Sequence, residues 1–168
     1  MNIAVINKSK VSASEVKAAV AAVQKQLNNH VRPAWDFQHT LVTTTKGADA
    51  VVYIQDQADV DGALGYHAET AKGAPYGFVF TDLSKQLDEP WSVTLSHEVL
   101  ELAGNPYVSG YALGKHPTEE RAVFYWVEMC DAVQDQKYKV DNVWVSNFVL
   151  PRYFTPQAEA GFPNDYMN

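Results

Sequence analysis

The segment Trp91-Ser92-Val93-Thr94-Leu95-Ser96-His97-Glu98-Val99-Leu100-Glu101-Leu102-Ala103-Gly104 constrains the fold of this chain more than any other. Read as a helix, it sets Thr94, His97, Glu98 and Glu101 at i, i+3, i+4 and i+7, one continuous polar stripe. Val93, Leu95, Val99, Leu100, Leu102 and Ala103 cover most of the remaining circumference. A helix apolar nearly all round belongs inside a protein, so its carboxylates and imidazole face an internal surface or cleft. Charges there need a partner, and a metal ion suits His and Glu one helical turn apart. In this reading His97 and Glu101 are ligands, and Glu98 is the general base that takes a proton from the attacking water. In the plainer reading this is a core helix with a solvated edge, His97 held by hydrogen bonds and both Glu in water. Gly104 and Pro106 are breakers that end the helix, and Asp88-Glu89-Pro90 introduces it with acidic residues at its positive end.

At 168 residues one domain is expected, with residues 1–104 supplying a sheet and the central helix and 105–168 a smaller C-terminal part. The formal charge of −7 and the lack of a Lys/Arg cluster argue against nucleic acid or an anionic membrane as partner. Cys130 is the single cysteine, which excludes an intrachain disulfide. The apolar start, Met1 to Asn7, is too short for a signal peptide or membrane span, so a cytoplasmic or virion-borne product is expected. Nothing in the sequence assigns an oligomeric state.

Along the chain, Ile3 to Ile6 suits a buried strand. Ser12 and Ser14 are N-cap candidates for a long helix through about Leu27, with Val16, Ala19, Val20, Val23 and Leu27 at helical spacing and Asn28-Asn29 at its end. Trp35 to Thr45 is β-rich, Ala50 to Ile54 reads as a central strand, and Tyr76 to Asp82 as another. This order predicts an α/β (α+β) fold in which the long N-terminal helix backs a mixed, twisted sheet. Asp61 to Ala68 reads as an edge strand with Gly at a bulge and His67 on the surface. Tyr107 to Pro117 reads as a long loop over or beside the cleft, and Ala122 to Val127 as strand or helix. Tyr138 to Val145 reads as a hairpin turning at Asp141-Asn142, and the tail from Pro151 as wrapping the surface.

His97-Glu98-Val99-Leu100-Glu101 has the H-E-x-x-H spacing with Glu in place of the second His, and so resembles the active-site helix of the zincin metallopeptidases. Together with Asn105-Pro106, Glu128-Met129-Cys130-Asp131 and Ser146 to Pro151, it resembles a group of zincin-like proteins of bacteria and their phages, over roughly residues 50 to 155. That group usually has Asp-Pro where this chain has Asn105-Pro106. The resemblance implies a zincin-like fold, one Zn²⁺ ion and a peptide or protein substrate that pairs with an exposed strand edge, with Gly65, Tyr66 and His67 on the strand that rims the cleft. It points to Glu128 as third ligand, with Asp131 orienting a ligand His; the two roles are exchangeable, and His116 is a further candidate. Cys130 is either a ligand or a small buried apolar residue. Tyr153, Arg152, Tyr107 and Asn147 are candidate hydrogen-bond donors to a developing oxyanion, Tyr153 also lining the cleft.

One imidazole and two carboxylates cancel the charge of Zn²⁺, which makes a bound water less acidic than at a two-His, one-Glu site. Oxygen ligands also admit manganese, magnesium or calcium. The expected function is therefore a zinc-dependent peptidase. Its alternatives are a non-catalytic zincin-like scaffold serving as a binding or virion-assembly module, and a plain α/β domain.

Overall fold

The computed structural model describes residues 1–116, 118–155 and 162–168. The chain begins with strand β1 (Asn2–Asn7) and helix α1 (Ala13–Gln26). Ser12 caps α1: its hydroxyl accepts from the Glu15 N–H while the Glu15 carboxylate accepts from the Ser12 N–H, a capping box. Asn28-Asn29 does not end the helical run. A π-helical turn, Leu27–Val31, carries the backbone into the short helix α2 (Arg32–Trp35), which stops where Asp36 adopts φ 52°. The β-rich stretch from Trp35 yields only a three-residue strand, β2 (Thr40–Val42).

Strands β3 (Ala50–Gln55), β4 (Gly65–Glu69) and β5 (Pro75–Phe80) complete a five-stranded mixed sheet of order β2-β1-β3-β5-β4. Its four inner pairings include three parallel ones, and β4 runs antiparallel at the edge. The sequence run Ala50 to Ile54 is indeed the middle strand, alternating buried Ala50, Val52 and Ile54 with half-buried Val51 and Tyr53. Helix α3 (Thr81–Gln86) leads to α4 (Trp91–Gly104), the helix of the polar stripe, which packs on β5 and β4 and beside α1. The protein is thus mixed α+β, with a mixed sheet.

After α4 the predicted loop over Tyr107–Pro117 is largely replaced by a hairpin of β6 (Tyr111–Lys115) and β7 (Ala122–Trp126); Pro117 lies outside the described residues. Alternating side chains explain the miss: Tyr111 and Leu113 are solvated, so the strand leaves no apolar stripe to read. The predicted Asp141-Asn142 hairpin is present as β8 (Lys137–Val140) and β9 (Val143–Ser146). Both turn residues have positive φ, 48° and 67°, as a two-residue type I′ turn requires.

Three layers of polar contact lock α4 in place. The Ser92 hydroxyl donates to the Trp144 carbonyl, and the Ser96 hydroxyl donates to Gln26 Oε1 while accepting from the Ser146 N–H. Gln26, fully buried on α1, donates in turn to the Ser146 carbonyl. One amide therefore joins α1, α4 and β9 with its buried polar atoms satisfied. No helix among the described residues is long and apolar enough to cross a membrane.

Of the tail, residues 156–161 lie outside the described residues, while Asp165 is buried and forms a bridge with Val149. Burial alone would raise the Asp165 carboxyl, but hydrogen bonds from the Asn147 and Asn168 amides and the Met167 N–H hold it below its ordinary value. A depressed folded pKa stabilises the fold above the unfolded value and loses that stabilisation as pH falls through the folded one. Asp165→Asn is expected to cost on the order of 1 kcal/mol at neutral pH. In chemical denaturation, its deficit against wild type should shrink below about pH 4.

Candidate metal centre

Strand alternation and helical period bring one cluster together. The sheet register runs Val5, Val52, Gly77, His67 across β1, β3, β5 and β4, so these residues share the face covered by the helices. His67 ends that row. It is not a surface residue: its side chain is 6% exposed and hangs over α4. Its Nδ1 lies 3.7 Å from Glu98 Oε2 and 3.6 Å from Glu101 Oε2, and its Nε2 lies 3.5 Å from Glu128 Oε2. The close approach depends on Gly65 two residues earlier. A Cβ there would come within 2.7 Å of Glu98 Oε1, of Thr94 Cγ2 and of the Phe78 carbonyl.

On the other side of Glu101 stands His97. Its Nε2 is 3.2 Å from Glu101 Oε1, one helical turn on, and 3.3 Å from Asp131 Oδ1. Donors bound tetrahedrally at about 2.0–2.2 Å from an ion lie roughly 3.3–3.6 Å from one another, so both spacings suit shared coordination. The buried Cys130 thiol, with His97 and Glu101, completes a set whose donor atoms all lie within 4.8 Å of one another. Cys130 also donates its N–H to Glu101 Oε1, fixing that carboxylate from the backbone.

The segment after β7 therefore supplies both predicted acids, but to different imidazoles. Asp131 faces His97, whereas Glu128 faces His67. Asn105, where the resembling proteins usually have Asp, caps the end of α4. Its side-chain NH₂ donates to Glu128 Oε1, and its Oδ1 accepts from the Ser109 and Gly110 N–H groups. An aspartate could not make that donation and would set a further carboxylate against Glu128.

Several predicted positions lie elsewhere. His116 sits at the tip of the β6–β7 hairpin, accepting at Nδ1 from the Thr118 and Glu119 N–H groups, so as a ligand candidate it gives way to Cys130 and His67. Tyr66, between Gly65 and His67 on β4, points to the opposite face of the sheet, where its ring meets Tyr76 and Phe78 and its hydroxyl donates to Asp59. Tyr153 is half exposed and packs edge-on against Phe154. Gly65 does line an open cleft of about 450 Å³, together with Leu64, Val93, Thr94, His97 and Asp135. The residue that reading the sequence placed wrongly was His67. The available signal was parity, since His67 shares Gly65's face at i+2.

The electrostatics follow from burial and crowding. Burial disfavours the charged form of His97, but hydrogen bonds to Asp131 and Glu101 outweigh it and hold the imidazole well above its ordinary pKa. His67 is raised in the same way, burial being outweighed by Glu98 and the Glu128 and Glu101 charges. Burial raises Glu98, with His67 opposing, and pushes Glu128 up to about 7, with the Glu101 charge adding to it. Burial lifts the Cys130 thiol well above its usual range, and the hydrogen bond to His97 draws Asp131 down.

Three enclosed carboxylates, Glu98, Glu101 and Glu128, share this space with two imidazoles, and the more exposed Asp131 adjoins His97, so the cluster is rich in donors that suit a divalent cation. His67 Nε2 and Glu128 Oε2 are buried without a hydrogen-bond partner. They face each other at 3.5 Å, and the donor set of the cluster fits a metal ion. No family model matches the chain, nor does any curated protein or solved structure.

Because β4 lies so close to α4 at residue 65 that a Cβ there would clash, Gly65→Ala is expected to push the strand and His67 away from Glu98. The expected cost is about 1–3 kcal/mol by thermal or chemical denaturation, together with weaker metal retention.

Proposed function

We propose that this chain is a zincin-like, divalent-metal-dependent hydrolase of peptide bonds. The observation that supports it most is the pairing of His97 and Glu101 at 3.2 Å on the buried stripe of α4, beside Glu98 and beneath an edge strand. His97 and Glu101 would hold the ion, with Cys130 or Asp131 as the third protein group. A bound zinc ion would act as a Lewis acid on a carbonyl and lower the pKa of water.

Glu98 is the proton acceptor in this reading. The residue is 5% exposed and its carboxyl is raised by burial, so it takes a proton more readily than a solvated glutamate. His97, less enclosed than Glu98 and Glu101, is the cluster residue that lines the open cleft. Among the described residues, strand β4 pairs with β5 along one edge and lies at the edge of the sheet, and an extended peptide laid along its other side would gain backbone hydrogen bonds. Leu64 and Val93 in the cleft offer apolar contact to a substrate side chain.

The enclosure of the cluster favours a second reading, in which the ion is structural and the domain a non-catalytic scaffold that binds a protein partner. Glu98→Gln separates the two. The protein as purified should carry metal by inductively coupled plasma mass spectrometry, and the variant should keep the ion held by His97 and Glu101 while turnover of a mixed peptide library by protein loaded with one equivalent of zinc falls at least ~100-fold. Unchanged turnover would remove Glu98 from the mechanism, and metal-loaded wild type that cleaves nothing would favour the scaffold.

A further inference from the structure

Glu101 faces two imidazoles at once. Its Oε1 lies 3.2 Å from His97 Nε2, and its Oε2 lies 3.6 Å from His67 Nδ1. Two sets of donors follow, each with its atoms within 4.8 Å of one another: His97, Glu101 and Cys130, and His67, Glu98 and Glu101. Glu101 belongs to both. A carboxylate with one oxygen turned to each of two donor sets is placed as bridging ligands are in two-metal sites, whose ions stand about 3.5–4 Å apart. We propose that the cluster holds a second divalent cation, bound by His67, Glu98 and Glu101, with Glu101 bridging it to the first.

The neighbouring contact is compatible with the same place. The His67 side chain is 6% exposed, and its Nε2 faces Glu128 Oε2 at 3.5 Å, with neither atom hydrogen-bonded. A cation on Nδ1 fixes the imidazole tautomer with its proton on Nε2, directed at Glu128, and so satisfies both atoms. This carboxylate–histidine–metal relay orients a ligand imidazole and raises its basicity. Asn105 then steadies the far oxygen of the same carboxylate, donating to Glu128 Oε1.

The two sets differ in hardness. The one with the Cys130 sulfur favours zinc, whereas imidazole with two carboxylates also accepts manganese. This inference rests on the cluster being a metal centre. A cation at the second position occupies Glu98 and withdraws the proton acceptor, so it inhibits the singly loaded hydrolase and is read by binding.

The test uses the full chain stripped with a chelator, loaded with zinc alone or with zinc followed by manganese, desalted, and counted by mass spectrometry. The expected result is two equivalents in wild type, and one equivalent in His67→Ala and in His97→Ala. One equivalent in wild type would overturn the second site while leaving the proposed hydrolase intact; none would remove both readings. Two equivalents in a His67→Ala variant with wild-type circular dichroism would also overturn it. Should either variant fail to fold, electron paramagnetic resonance of wild type loaded with manganese alone decides. An exchange-coupled spectrum is expected from two ions sharing a carboxylate, and spectra of isolated ions only would contradict the bridge.

Discussion

Everything in this structure accommodates two carboxylates carried into the interior on one helix. Glu98 and Glu101 are 5% and 4% exposed, on a helix otherwise wrapped by apolar side chains. An isolated carboxylate at that depth is untenable, and the fold answers with two imidazoles, one from the same helix and one from the strand above. Two further acids crowd the imidazoles, Glu128 inside the cluster, where burial pushes it up to about 7, and Asp131 at its exposed rim. Crowding acids in a buried site costs stability, and a bound cation offsets that cost. That crowding is the physical core of the functional reading.

The scaffold holds these groups still. Gln26 ties α1 to α4 and β9 beside Ser96, the residue before His97. Gly77 keeps the inner face of β5 low beneath the row that ends in His67, and Gly65 lets β4 settle onto α4. The Cys130 N–H and the Asn105 amide then fix Glu101 and Glu128 from the segments after the helix. Donors held by packing and hydrogen bonds on rigid elements lose little freedom when an ion arrives, which is what a preorganised site requires.

Much of this was legible in the sequence. The i, i+3, i+4, i+7 stripe of α4, the apolar middle strand and the Asp141-Asn142 hairpin are periodic or turn signals that depend on few neighbours. Asn28-Asn29 misled because a π-helical turn carries the helical run past it, a feature without a composition signal. The β6–β7 hairpin was hidden because Tyr111, Leu113, Phe124 and Trp126 are exposed, so no buried stripe marks either strand. Acids from the segment after β7 could be expected at the site, but their division between two imidazoles could not, since it depends on where β4 lies over α4. His67 was visible only through strand parity, and its role only through the contact that Gly65 permits.

Whether this cluster is a metal centre is read directly from a crystal structure of zinc-loaded protein with data on both sides of the zinc absorption edge. An anomalous peak is expected within coordination distance of His97 Nε2 and Glu101. A difference map without a peak in the cluster, with His97 hydrogen-bonded to Glu101 and Asp131 instead, would contradict the metal centre.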